Sequence, residues 1–184
     1  MANPGFCKAA PIGLIGAAVV LDLLLVSAGF ASPDGADWQT VNDPIGCQQC
    51  HLGSPDPADS PALSIEGLPK RPEAGQRYEL TIVLNDPALR NAGFLLSILS
   101  DSAAVGVLSA IDDRTEASGA QARSTYDSST PPEPGTASWQ LVWTAPAVLD
   151  EPLVFDLWGN AGNYDLSPLG DRLHHQSWQL QPSQ

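Results

Sequence analysis

From Tyr78 onward the apolar residues recur at every second position. Tyr78, Leu80, Ile82 and Leu84 share one face while Glu79 and Thr81 take the other, the pattern of a half-buried strand. Asn85-Asp86-Pro87 interrupts it, and Gly93-Phe94-Leu95-Leu96-Ser97-Ile98-Leu99 predicts a second strand that stops at Ser100-Asp101-Ser102. Val105 to Ile111 predicts a weaker third. Asp112 to Thr136 has few large apolar groups and contains Pro131, Pro132 and Pro134, so it predicts a long connection outside the core, with one short edge strand near Tyr126. Trp139, Leu141 and Trp143 then alternate with Gln140 and Thr144 until Ala145-Pro146 closes the segment. Leu153, Phe155 and Leu157 repeat the alternation, and Gly159-Asn160-Ala161-Gly162-Asn163 predicts the next turn. In the last segment, Arg172 to Gln181, His174, Gln176, Trp178 and Leu180 fall on one face and Leu173, His175 and Ser177 on the other. Six or more short strands with turns at these intervals predict an all-β fold, an antiparallel sandwich, with Trp139, Trp143, Trp158 and Trp178 in its core.

The first part of the chain lacks this alternation. Residues 1–31 carry a lone Lys8, an apolar run from Ile12 to Val26 and small residues at Ser27, Ala28, Gly29 and Ala31, which predicts an export signal cleaved after Ala31. Asp22 inside the run disfavours a retained membrane span, because a carboxylate near a helix centre costs about 2.5–3.5 kcal/mol on insertion. Ser32 to Gly46 holds Pro33, Asp34, Gly35, Asn42, Asp43 and Pro44, and Gly53-Ser54-Pro55-Asp56-Pro57 follows soon after. These residues favour turns, so residues 32–66 predict an irregular arm ahead of the sandwich.

Composition sharpens the picture in two ways. Seventeen prolines and sixteen glycines against 16% charged residues exclude a helical bundle and fit many short, turn-linked elements around one core. The formal net charge is −13, unchanged on removal of a leader holding one Lys and one Asp. An acidic surface repels phosphate backbones, so nucleic acid is not expected as a partner.

The chemistry sits in the arm, at Cys47-Gln48-Gln49-Cys50-His51. This spacing suits covalent haem c: Cys47 and Cys50 add across the porphyrin vinyl groups as thioethers, and His51 binds the iron as proximal ligand. Two other readings stay open. An oxidising compartment permits a Cys47-Cys50 disulfide, and Cys47, Cys50 and His51 with His174 or His175 make a structural zinc set, though adjacent Cys50 and His51 strain a tetrahedron. For a second iron ligand, Met1 belongs to the leader, which leaves His175 first, as the outward-facing histidine of the last strand, and His174 second.

Several pieces, in order, resemble the bacterial relatives of the reelin-type (Reeler) domain that carry a C-x-x-C-H motif ahead of the domain. They are Gly67-Leu68-Pro69, Glu73-Ala74-Gly75-Gln76-Arg77-Tyr78, Ala92-Gly93-Phe94, Trp139-Gln140-Leu141-Val142-Trp143-Thr144-Ala145-Pro146, Gly159-Asn160-Ala161-Gly162-Asn163 and Gly170-Asp171. The resemblance covers about residues 47–180 and implies an immunoglobulin-like β-sandwich, Reeler-like, over 67–184. Such proteins would carry a histidine shortly after the tyrosine that matches Tyr126, whereas this chain has Asp127, Ser128 and Ser129. Many also end in an anchoring tail; the stop at Gln184 predicts a soluble product.

The expectation is therefore an exported protein, periplasmic or extracellular, that carries one covalent haem and passes single electrons to a redox partner protein. No catalytic residue is predicted, since no serine sits in a nucleophile motif and no glycine-rich turn opens a helix. The alternatives are a secreted binding or adhesion sandwich with a Cys47-Cys50 disulfide, and a haem sensor or enzyme with an open distal position.

Overall fold

The structure, a computed structural model, describes residues 46–49, 51, 59–101, 103–165 and 167–183. The expected leader, the arm up to residue 45 and Cys50 lie outside the described residues. Strands run over Leu63–Glu66 (β1), Arg77–Asn85 (β2), Asn91–Ser100 (β3), Ala103–Ala104 (β4), Val107–Ala110 (β5), Thr115–Ser118 (β6), Gln121–Ser124 (β7), Thr136–Thr144 (β8), Leu153–Gly162 (β9) and Arg172–Leu180 (β10). They form two antiparallel sheets, β1-β2-β8-β5 and β10-β9-β3-β7-β6, with β4 pairing β3. This is the expected all-β antiparallel sandwich. The first sheet begins at Leu63, ahead of the boundary expected at residue 67.

The alternating residues build the core. Leu80, Ile82 and Leu84 of β2 and Trp139, Leu141 and Trp143 of β8 face Phe94, Leu96 and Ile98 of β3 and Phe155 and Leu157 of β9. Aromatic rings lock the two layers together. Phe94 and Trp139 meet at 5.0 Å, and Trp143 meets Phe155 edge-on at 4.9 Å. The indole of Trp139 donates to Ser128 Oγ at 3.1 Å, so its polar atom is satisfied inside the core.

Three expectations need correction. Residues 112–136 hold more than the one short edge strand expected: the β6–β7 hairpin precedes a 3-10 turn over Tyr126–Ser128, and Ala120 and Ala122 are core residues. Small residues give no period-two apolar signal, yet they let the hairpin lie close against its neighbours. Gly159 does not open a turn, because β9 runs on to Gly162. A Cβ at Gly159 would come within 2.8 Å of Leu63 Cδ2, so this glycine provides space for packing. Trp158 is not core; it lies on the outer face of the second sheet, stacked on His175 at 4.3 Å.

Trp139 joins both layers and is 1% exposed. Trp139→Ala is expected to cost about 3–5 kcal/mol, read from the denaturant midpoint at unchanged slope, because it opens a large cavity and removes the donor to Ser128.

Candidate functional site

The motif residues that the structure describes sit on one short turn. Gly46–Gln49 form a 3-10 turn, and the His51 N–H donates to the Cys47 carbonyl at 3.0 Å. Cys47 and His51 are both half-buried. The turn therefore brings the first cysteine and the histidine of the motif within one helical turn.

His51 is fixed from the other end of the chain. Its Nδ1–H donates to Asp171 Oδ2 at 2.7 Å. The Asp171 carboxylate, whose side chain is only 6% exposed, also accepts from Asn160 Nδ2 at 3.2 Å and, through Oδ1, from the backbone N–H of Asn163 at 3.2 Å. Burial pushes the Asp171 carboxyl up, but the hydrogen bonds from His51, Asn160 and Asn163 and the attraction of the imidazole outweigh it and hold the group below its ordinary 3.8. An ionised carboxylate can only accept, so His51 must present its proton at Nδ1. No hydrogen bond to His51 Nε2 exists among the described residues, which leaves that atom as the ring's acceptor and metal-binding position. Asn160 Oδ1 is buried beside this contact without a hydrogen-bond partner among the described residues.

Strand alternation places this contact. Leu153, Phe155 and Leu157 of β9 point into the sandwich, so Asp156, Trp158 and Asn160 point out, opposite Ser177, His175 and Leu173 of β10. His51 thus docks on the outer face at Asn160. The Trp158–His175 stack lies two residues further along the same strands, about 7 Å away by strand rise. His175 Nε2 donates to Asp156 Oδ1 at 2.6 Å, and its side chain is 24% exposed. The same row continues through Leu95 of β3 to the Arg123–Glu116 ion pair.

His174 behaves differently. It faces inward, 7% exposed, with Nε2 donating to Asp86 Oδ2 at 2.9 Å and Nδ1 paired with Ser60 Oγ at 2.7 Å. Arg172 Nε donates to the same Asp86 oxygen at 3.1 Å, and the Ala88 N–H donates to Asp86 Oδ1 at 2.8 Å. With both ring nitrogens engaged, His174 offers no free lone pair to a metal in this structure. Ser60, His174 and Asp86 have the atoms of a nucleophile chain, but their hydrogen bonds are all internal and tie the chain before β1 to β10 and to the β2–β3 turn. A cavity of about 480 Å³ lies elsewhere, lined by Arg71, Leu149, Asp150, Gln181, Pro182 and Ser183, at the far end of β10 from Asp171. Among the described residues, no group of three or more His, Cys, Asp and Glu side chains is arranged to hold a metal ion.

Sequence reasoning located His51 and the outward side of His175 but missed Asp171, Asn160, Asp86 and Ser60. A single aspartate next to a turn glycine has no signal of its own; only the ladder that pairs Arg172 with Ala161 brings Asp171 to residue 51. Because the Asp171 carboxyl titrates lower in the folded protein than in the unfolded chain, its contribution to stability is fully present above the ordinary 3.8 and is lost as pH falls through the folded value. Asp171→Asn should therefore cost about 1–3 kcal/mol at neutral pH. Between about pH 4 and pH 2 its denaturant midpoint should fall less steeply than that of the wild type.

No protein-family model matches the chain, and no curated protein does. Solved structures do. The Reelin-N domain of F-spondin superimposes with a TM-score of 0.52 at 16% identity, over 76% of this chain and 97% of that one. The reeler domain of human F-spondin, in a second crystal structure, matches at a TM-score of 0.46 and 19% identity, over 66% of this chain and 88% of that one. Among the described residues no helix is long and apolar enough to cross a membrane. The sandwich has the fold of a reeler domain.

Proposed function

We propose that this chain is an exported, single-haem c-type cytochrome that transfers electrons, with haem c attached at Cys47 and Cys50 and His51 as the proximal ligand. The observation that carries the reading is the state of His51: its Nδ1–H is held by a buried carboxylate and its Nε2 has no hydrogen bond among the described residues. Histidines that bind metals characteristically donate their other ring nitrogen in this way. The described residues of the motif fit the group, since Cys47 and His51 share one turn on the outer face of the sheet.

Haem c would supply a one-electron change at iron. The chain's own residues do the rest. The turn at Gly46–Gln49 sets the spacing of thiol and imidazole, Asp171 orients the ring, and the stacked, half-buried rings of Trp158 and His175 present a partly apolar surface alongside. His175 is the preferred distal ligand, because it shares the outer face with the His51 anchor; it would exchange its hydrogen bond to Asp156 for the iron. His174 is a poorer candidate, buried and bonded at both nitrogens. The function is that of a carrier with a protein redox partner, outside the cytoplasm, and not of a catalyst.

The chain, exported from a host with haem-attachment machinery, should give a c-type pyridine haemochrome spectrum and an intact mass increased by one haem. A colourless product two hydrogens lighter than the reduced chain would make Cys47 and Cys50 a disulfide and leave a secreted sandwich of the binding or adhesion kind.

A further inference from the structure

The contact between His51 and Asp171 spans 120 residues of sequence, and nothing in the C-x-x-C-H motif requires it. The motif needs only a nearby imidazole. What the sandwich adds is a carboxylate whose position is fixed three times over: by Asn160 Nδ2 on Oδ2, by the Asn163 N–H on Oδ1, and by the start of β10, where Arg172 pairs with Ala161. Every part of this cradle belongs to the β9–β10 ribbon. The imidazole is the one element that comes from elsewhere.

We propose that Asp171 is the positioning residue of the iron ligand: it fixes the His51 tautomer and ring orientation and places a negative charge behind the imidazole, which lowers the reduction potential of the iron. This rests on the haem reading above. A ring that donates Nδ1–H to an anion gains electron density at Nε2 and is a stronger donor to iron. A stronger donor stabilises the ferric over the ferrous state, and the nearby negative charge acts in the same direction, because reduction removes one positive charge from the site. With its side chain 6% exposed, Asp171 is little screened by solvent. The Asn160 and Asn163 donors hold the carboxylate in place, so its effect needs no reorganisation when the iron changes state.

The test compares holoproteins. Asp171→Asn keeps the shape of the side chain and removes the charge, and its midpoint potential should rise by an amount equal to at least a tenfold change in the reduction equilibrium, 59 mV for a one-electron couple. Asp86→Asn is the control, since it disturbs a buried carboxylate of the same sandwich that bonds His174 rather than His51, and it should leave the potential within twofold. Equal potentials in the wild type and Asp171→Asn, both carrying covalent haem, would overturn the role of Asp171 and leave the cytochrome reading intact. Failure of the wild type to acquire covalent haem would overturn both. A second measurement needs no variant: nitrogen-15 NMR of the full-length chain made without haem, at a pH above the imidazole range, should find His51 as the Nδ1–H tautomer. The Nε2–H tautomer would overturn the proposal even if Asp171→Asn failed to fold.

Discussion

The structure depends on the strict two-residue alternation of β9. One set of its side chains, Leu153, Phe155 and Leu157, closes the core against the opposite sheet; the other, Asp156, Trp158 and Asn160, builds the outer face on which His51 rests. A register slip of one residue in this strand would exchange the two sets, moving a carboxylate and an amide into the core and three large apolar groups into water. The packing that stabilises the sandwich therefore also fixes the site. The edge-on contact between Trp143 and Phe155 holds the strand down, and Gly159 lets it pass close to Leu63 without a bulge.

A second constraint acts at the open edge of the same sheet. β10 is an edge strand, and exposed edges invite pairing with other chains. Here the edge is tied to the chain that precedes β1: the Ser60 N–H donates to the His175 carbonyl, while Ser60 Oγ pairs with the inward-facing His174. Asp86 completes the tie from the β2–β3 turn by accepting from both His174 and Arg172. A buried carboxylate is costly unless it is fully hydrogen-bonded, and Asp86 meets that condition with three donors, one from its own turn and two from β10. Consecutive histidines on β10 thus have opposite roles because they point to opposite faces.

The legible parts of the sequence were those with a repeating signal. Period-two runs at 78–84 and 139–143 located β2 and β8, and the parity of residues 174–180 gave the orientation of both histidines on β10. Segments stabilised by small residues were illegible: the β6–β7 hairpin contributes Ala120 and Ala122, whose burial depends on what lies opposite and not on their own hydrophobicity. Glycines misled for a related reason. At Gly159 the residue answers a steric demand from Leu63 in another sheet, which looks the same in sequence as a turn. The residues around His51 were hidden because polar contacts across 120 positions follow from topology, and a lone Asp or Asn has no periodicity to betray it.

The position of His51 is best understood through the two ties that bracket it. The chain is held to the outer face at His51, through Asp171, and to the edge of β10 at Ser60, about nine positions later in the sequence. A hydrogen bond to a charged group contributes about 1.5–3 kcal/mol, so the Asp171 contact alone anchors the motif turn appreciably. Ser60 is fixed by β10, and the ring's partner is fixed by the same ribbon. Tethering at residue 60 thus raises the local concentration of the imidazole at Asp171, and the geometry of the motif becomes a property of the folded sandwich rather than of the motif's own few residues.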